Sequence, residues 1–326
     1  MKSYLRMRYM VLLLIPLLIL GYAVYQWSKD DPGPKKIIVG VKALDENEFW
    51  RVLIEGVHTA SREFGVDVSV VGPSQEIEVD LQIQLLEEAV ERKPDAIVLA
   101  AGDYNRLVPV AESIRKAGIP LIMIDSAVNG DYAQSLIATD NVNAGQKAGK
   151  ELSSRLPEQA KVAIISFVQG TSTQIEREQG VRSILEQRGG TEIVGTYYSE
   201  GKEERAYEIT KKLLLERPDL NGIVGLNEPS TVGAGRAIRE LGLVGKVKLV
   251  GFDSSVKEVK LLEEGVLQST IVQKPFNIGY LGIKTAVSVI EGDKMPRHIY
   301  TDSVIINKDN MFTEENQKLL FPFVEE

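Results

Sequence analysis

At 326 residues, with 44% hydrophobic and 26% charged side chains, the chain has room for two globular domains of ordinary size, each with its own core. It has no cysteine and only two histidines, His58 and His298, which excludes disulfides, thiol catalysis, a lipid-modified cysteine and any cysteine-built metal centre. A formal net charge of −8 argues against a nucleic-acid partner, because phosphate binding needs a basic stripe.

Residues 10–25 form an apolar run of 16, preceded by Lys2, Arg6 and Arg8 and followed by Trp27, Ser28, Lys29 and two aspartates. The run falls a little short of the ~20 residues that span a bilayer, but Gln26 and Trp27 suit the interface on its far side. The basic flank sets the N-terminus inside and everything after Lys29 outside. Gly21-Tyr22-Ala23 is a poor cleavage match, so residues 1–35 are expected to be an uncleaved transmembrane helix or signal anchor with a linker, DDPGP, at 30–34. Cleavage would export the same domain as a secreted or periplasmic protein.

From Lys36 the pattern alternates strand and helix. Residues 37–41 are a strand, and Trp50, Leu53, Ile54, Val57 and Phe64 recur on one helical face. Strands are expected at 66–71, 96–100 and 121–124, with helices around 85–90 and 107–114, the latter closed by Gly118. The alternation then breaks. A second extended run, 136–138, follows the strand ending at Asp125 with no helix between, and Thr139-Asp140-Asn141 can cap a helix beginning near Val142. The chain is expected to pass there from one α/β lobe to another, with Asp125 at the mouth of the cleft. The same grammar restarts with strands at 162–167, 193–196, 222–226 and 247–252 and helices near 173, 206–213 and 234–241.

In doubly wound sheets ligands bind beyond the carboxyl ends of the strands. There the chain sets Asp45, Asn47, Phe49 and Trp50, then Asp103, Tyr104 and Asn105, then Asp125. The second lobe sets Thr171, Ser172 and Arg177, then Asn227 and Glu228, then Asp253 and Ser254. Carboxylates, carboxamides and a guanidinium bind vicinal hydroxyls directionally, while flat aromatic faces cover the C–H surface of a sugar ring. Taken singly, each polar residue also reads as a helix cap or turn former, and Trp50 reads equally as core.

Other constellations carry little chemistry. Gly233-Ala234-Gly235 lacks the third glycine of a nucleotide fingerprint and reads as close helix packing. No phosphate loop, GxSxG elbow or HExxH helix is present, so neither a cofactor nor an enzyme is expected. His58 reads as a surface or packed histidine, the run 202–205 as the solvated start of a helix, and 319–323 as packing on the second lobe.

The motifs NEFW (47–50), IPLIMID (119–125), TDNVNAG (139–145), GTSTQIEREQG (170–180), LNE (226–228), VGFD (250–253) and TIVQKP (270–275) follow one another in a fixed order. On these the chain, across residues 36–310, resembles the type I periplasmic sugar-binding proteins, the ribose/galactose-like receptors whose fold is shared by ligand domains of LacI-type repressors. The resemblance implies two doubly wound parallel-sheet lobes joined by three crossings: residues 36–139 plus 274–303, and residues 140–273 plus 304–326. It implies an aromatic platform of Phe49 and Trp50 with Asn47 beside it, and Asp125, Arg177, Asn227, Asp253 and Gln273 bracketing the sugar hydroxyls. Asp140, Asn141 and Lys274 would lie at the hinge. Ser126 stands where such receptors often carry arginine, Ala100 where a polar side chain is frequent, and Gly201 where the second lobe usually contributes an aromatic ring. The expected function is an extracytoplasmic receptor that closes on a monosaccharide or cyclitol and presents it to an ABC importer permease. The alternative is a tethered sensory subunit reporting to a sensor histidine kinase.

Overall fold

The computed structural model describes residues 33–44 and 48–321. The expected membrane segment and Asn47 lie outside the described residues, and among these no helix is long and apolar enough to cross a membrane.

Two six-stranded sheets repeat one topology. The first is built from β1 (Lys36–Gly40), β2 (Asp67–Val71), β3 (Ala96–Leu99), β4 (Leu121–Ile124), β5 (Ser135–Thr139) and β11 (His298–Thr301), in the order β11-β5-β4-β3-β1-β2. The second is built from β6 (Ala160–Ser166), β7 (Thr191–Tyr198), β8 (Leu220–Gly225), β9 (Lys248–Phe252), β10 (Leu267–Val272) and β12 (Val304–Asn307), in the order β12-β10-β9-β8-β6-β7. Every residue of β3 and β4 is buried, which matches their unbroken apolar sequence, because helices cover both faces of a parallel sheet. β2 and β7 are the outer strands and are only partly buried.

The helices are α1 (Glu48–Phe64), α2 (Val79–Glu91), α3 (Val108–Lys116), α4 (Asn141–Ser153), α5 (Ser172–Leu185), α6 (Glu203–Glu216), α7 (Glu228–Glu240), α8 (Val256–Glu263), α9 (Pro275–Ile290) and α10 (Glu314–Leu320). β4 and β5 pair in parallel with no helix between them; the loop 125–134 makes the crossover instead. The chain passes between sheets after β5, after β10, and between β11 and β12.

Two parallel sheets are expected and found, with one antiparallel edge strand in addition. β12 runs antiparallel to β10. Only Asp302 and Ser303 separate it from β11, which lies parallel to β5 in the other sheet. A strand leaving one sheet at its carboxyl edge and entering the facing sheet without turning must run against the strands there.

Each lobe places its first helix against the helix that follows a crossing, with backbones nearly touching. A Cβ at Gly180 of α5 would lie 2.2 Å from the Val142 carbonyl of α4, and one at Gly279 of α9 would lie 2.1 Å from the Leu53 carbonyl of α1. Only glycine permits that approach. In the second lobe it brings Arg177 beside the start of α4. The sequence reading of Gly233 is also met, since a Cβ there would lie 2.4 Å from the Glu203 carbonyl. Leu320 is buried in the second lobe's core, with Leu319 and Phe321 packed against it, and His58 is exposed.

Candidate functional site

The carboxyl ends of the two sheets face one another across a chamber of about 330 Å³, including its solvent-open part. Its walls include Phe49, Trp50, Asp125, Arg177, Asn227, Asp253 and Gln273, so residues far apart in the chain meet in one place.

Asp125 and Asp253 hold equivalent positions. Each follows the fourth strand of its sheet's parallel run, β4 or β9, and each has a left-handed backbone, with φ of 57° and 75°. The Asp125 N–H donates to the Ile137 carbonyl and the Asp253 N–H to the Ile271 carbonyl. Left-handed non-glycine residues are uncommon, and aspartate tolerates that region better than most because its short side chain bonds locally. The conformation ends each strand abruptly and leaves a carboxylate at its tip.

The environments of the two carboxylates differ. Asp125 is buried and paired with the Lys42 ammonium at 2.7 Å. Lys42 also donates to the Thr173 hydroxyl at 3.5 Å and lies 5.4 Å from the centre of the Trp50 ring. Asp253 accepts from the Gln273 amide at 2.6 Å and from the Glu228 N–H at 3.2 Å. Burial pushes its carboxyl above the usual range, against the pull of the Arg177 guanidinium and the Gln273 hydrogen bond. Burial likewise pushes Glu228 up to about 7, and Glu258, 1% exposed, well above the carboxylate range.

Arg177 is held rigidly. Its Nε donates to Asn141 Oδ1 at 3.0 Å and its Nη1 to the Leu226 carbonyl at 2.8 Å, with the guanidinium 4.6 Å from the Phe252 ring centre. Asn227 caps α7, its side-chain oxygen accepting from the Ser230 N–H at 3.1 Å, so its amide NH₂ is the end it can offer to a ligand. Trp50 is both core and wall. It is 1% exposed within the first lobe's core, lines the chamber, and donates from Nε1 to Glu76 at 2.9 Å. Phe49 meets its ring edge-on at 5.1 Å.

Sequence reasoning missed Lys42, Glu76, Phe167 and Thr173, which also line the chamber. Lys42 had a legible signal, a charge directly after the first apolar strand. Phe167 had none, because an aromatic residue at the end of a strand reads as core; Gly201, where the resemblance finds the family's ring missing, occupies a turn with φ +74°. Ser126 donates to the Ala101 carbonyl at 2.7 Å.

The crossings are tied together beside the chamber. Thr139 donates to Gln273 at 2.8 Å, Asp140 caps α4 by accepting the Asn143 N–H at 2.9 Å, and Asn141 donates to the Thr139 carbonyl at 3.1 Å. Lys274 precedes α9. Lys147 on α4 holds the third crossing through the Ser303 carbonyl at 2.8 Å. At the open rim the Tyr104 N–H donates to the Gly170 carbonyl at 2.8 Å, and the Ala127 N–H to the Ser172 hydroxyl at 2.8 Å. The lobes are therefore in contact on both sides of the chamber, in a closed arrangement. Among the described residues no cluster of histidine, aspartate and glutamate could hold a metal ion.

Two α/β lobes joined by three crossings, with a polar and aromatic chamber between facing strand ends, define a hinged binding protein. The periplasmic binding protein domain family matches residues 37–294, and the chain belongs to that family. It is 26% identical over 277 residues to the D-allose-binding periplasmic protein of Escherichia coli K12, covering 80% of this chain and 89% of that one. A carbohydrate transporter solute-binding protein from Agrobacterium radiobacter, solved in complex with D-arabinose, superposes with a TM-score of 0.85 at 29% identity, covering 89% of this chain and 99% of that one. A sugar transporter from Clostridium phytofermentans is 38% identical, with a TM-score of 0.78 and coverage of 85% and 100%.

Proposed function

We propose that this protein is an extracytoplasmic receptor that closes its lobes on a monosaccharide and presents it to an ABC importer. The observation that carries the reading is the composition of the chamber: two opposed carboxylates, Asp125 and Asp253, with Lys42 and Arg177, between the aromatic residues Trp50 and Phe167. Alternating donors and acceptors bind vicinal hydroxyls, and the rings cover the C–H faces between them. The similarity to allose- and arabinose-binding proteins supports a pentose or hexose as cargo.

Asn47, Phe49, Trp50, Asp125, Arg177, Asn227, Asp253 and Gln273 are the ligand-contacting set in this reading. Residues 36–139 plus 274–303 and residues 140–273 plus 304–326 move as the two lobes, and Asp140, Asn141 and Lys274 lie where they turn. Residues 1–35 tether the receptor to the membrane, and it performs no chemistry on its ligand.

A soluble fragment beginning at Asp30 keeps Trp50 as its only tryptophan. Titrated with D-ribose, D-allose, D-arabinose and cyclitols, it should show one ligand that shifts both emission and melting temperature. At a hundred times its dissociation constant a ligand adds about 2.7 kcal/mol, roughly 4 °C at this size. No shift with any sugar would sink the reading. Cross-linking from membranes should recover permease subunits; recovery of a histidine kinase instead would replace delivery with sensing.

A further inference from the structure

A second, larger void adjoins the chamber. It encloses about 1180 Å³, including its solvent-open part, and lies between the lobes beside the second crossing and α10. Phe49, Asp253 and Gln273 line both voids, so only these three side chains, among the described residues, stand between the two.

The outer lining mixes two kinds of surface. Phe276, half-buried and stacked on Tyr280 at 6.4 Å between ring centres, stands with Val52 on the apolar side. Glu228, Asn277 and Lys318 stand on the polar side. Aromatic faces combined with directional polar groups repeat the chemistry of the inner chamber.

Resting on the sugar-receptor reading, we infer that the ring seated in the inner chamber is the end unit of a longer saccharide whose second ring occupies the outer void, with the glycosidic link passing beside Phe49. The second ring lies against Phe276, and its hydroxyls meet Glu228, Asn277 and Lys318. A free monosaccharide fills only the inner chamber and gains none of these contacts.

Isothermal titration of the soluble fragment decides the matter, using D-allose, D-arabinose and D-ribose, their methyl and phenyl glycosides, and disaccharides carrying each sugar at either end. At least one disaccharide should bind tenfold or more tighter than its parent monosaccharide. Asn277→Trp, a substitution at an exposed position that fills the outer void, should abolish that gain and leave monosaccharide affinity unchanged. Lys318→Ala, also exposed, should reduce the gain in part. If the monosaccharide binds while every disaccharide binds tenfold or more weaker, the inference is overturned and the sugar reading stands. A gain confined to phenyl glycosides overturns the second sugar ring in favour of an apolar aglycone. Failure of every sugar in every form removes the receptor reading and this inference with it.

Discussion

The Lys42 ammonium lies 2.7 Å from the Asp125 carboxylate, and both side chains are almost wholly excluded from solvent, at 3% and 4% exposure. The two charges come from the tips of β1 and β4, so they compensate each other across the first sheet's carboxyl edge while facing the chamber.

Removing one member leaves the other buried and uncompensated. Lys42→Ala should therefore cost about 3–5 kcal/mol of stability as well as ligand affinity, whereas Lys42→Met combined with Asp125→Leu should recover most of the stability and none of the affinity. Urea denaturation read beside sugar titration separates the two effects. Equal stability in Lys42→Ala and wild type would show that the pair carries no such load.

Asp253 is held by Gln273 and by the Glu228 backbone. Asp253→Ala removes charge-assisted hydrogen bonds worth about 1.5–3 kcal/mol, so affinity for the bound sugar should fall between tenfold and a hundredfold. Unaltered affinity in a titration of this variant would remove Asp253 from the site.

The rim contact between Ala127 and Ser172 exists only when the lobes meet. Ser172→Ala removes a hydrogen bond worth about 0.5–1.5 kcal/mol net, which should shift the balance towards the open form and weaken binding severalfold. Stopped-flow fluorescence should assign the loss to faster release. An unchanged release rate would show that the contact does not hold the lobes closed.

Glu228 gives a pH dependence with a definite sign. Its carboxyl is pushed up to about 7 in the folded state, chiefly by burial. The native form then holds more protons than the unfolded chain between about pH 4.5 and 7, and stability falls as pH rises through that window. The change is on the order of 2 kcal/mol once screening of a partly exposed group is discounted. Denaturation midpoints should decline from pH 5 to pH 7.5, and Glu228→Gln should flatten the decline. A slope identical in both proteins would assign it to other groups, Glu258 first among them.

Much of this architecture was legible in the chain. The apolar runs at β3 and β4 are unbroken because both sheet faces are covered, and the α1 stripe of Trp50, Leu53 and Val57 marks the face it buries. Polar residues directly after apolar strands marked the chamber wall, since strand tips in such sheets share one edge. Lys42 obeys that rule as well, standing directly after the first apolar strand. Phe167 and Glu76 could not be read, because nothing local distinguishes a chamber-lining ring from a core ring or a loop glutamate that meets an indole N–H.

Local patterns in the chain set the order and kind of the elements and the residues at the strand tips, because periodicity, capping and burial act over a few neighbouring residues. Packing of the folded chain sets which tips face one another, that Lys42 neutralises Asp125, that β12 enters its sheet antiparallel, and that a second void lies against the chamber. Those outcomes depend on packing within and between the two sheets, a relationship between residues distant in the chain that no local pattern encodes.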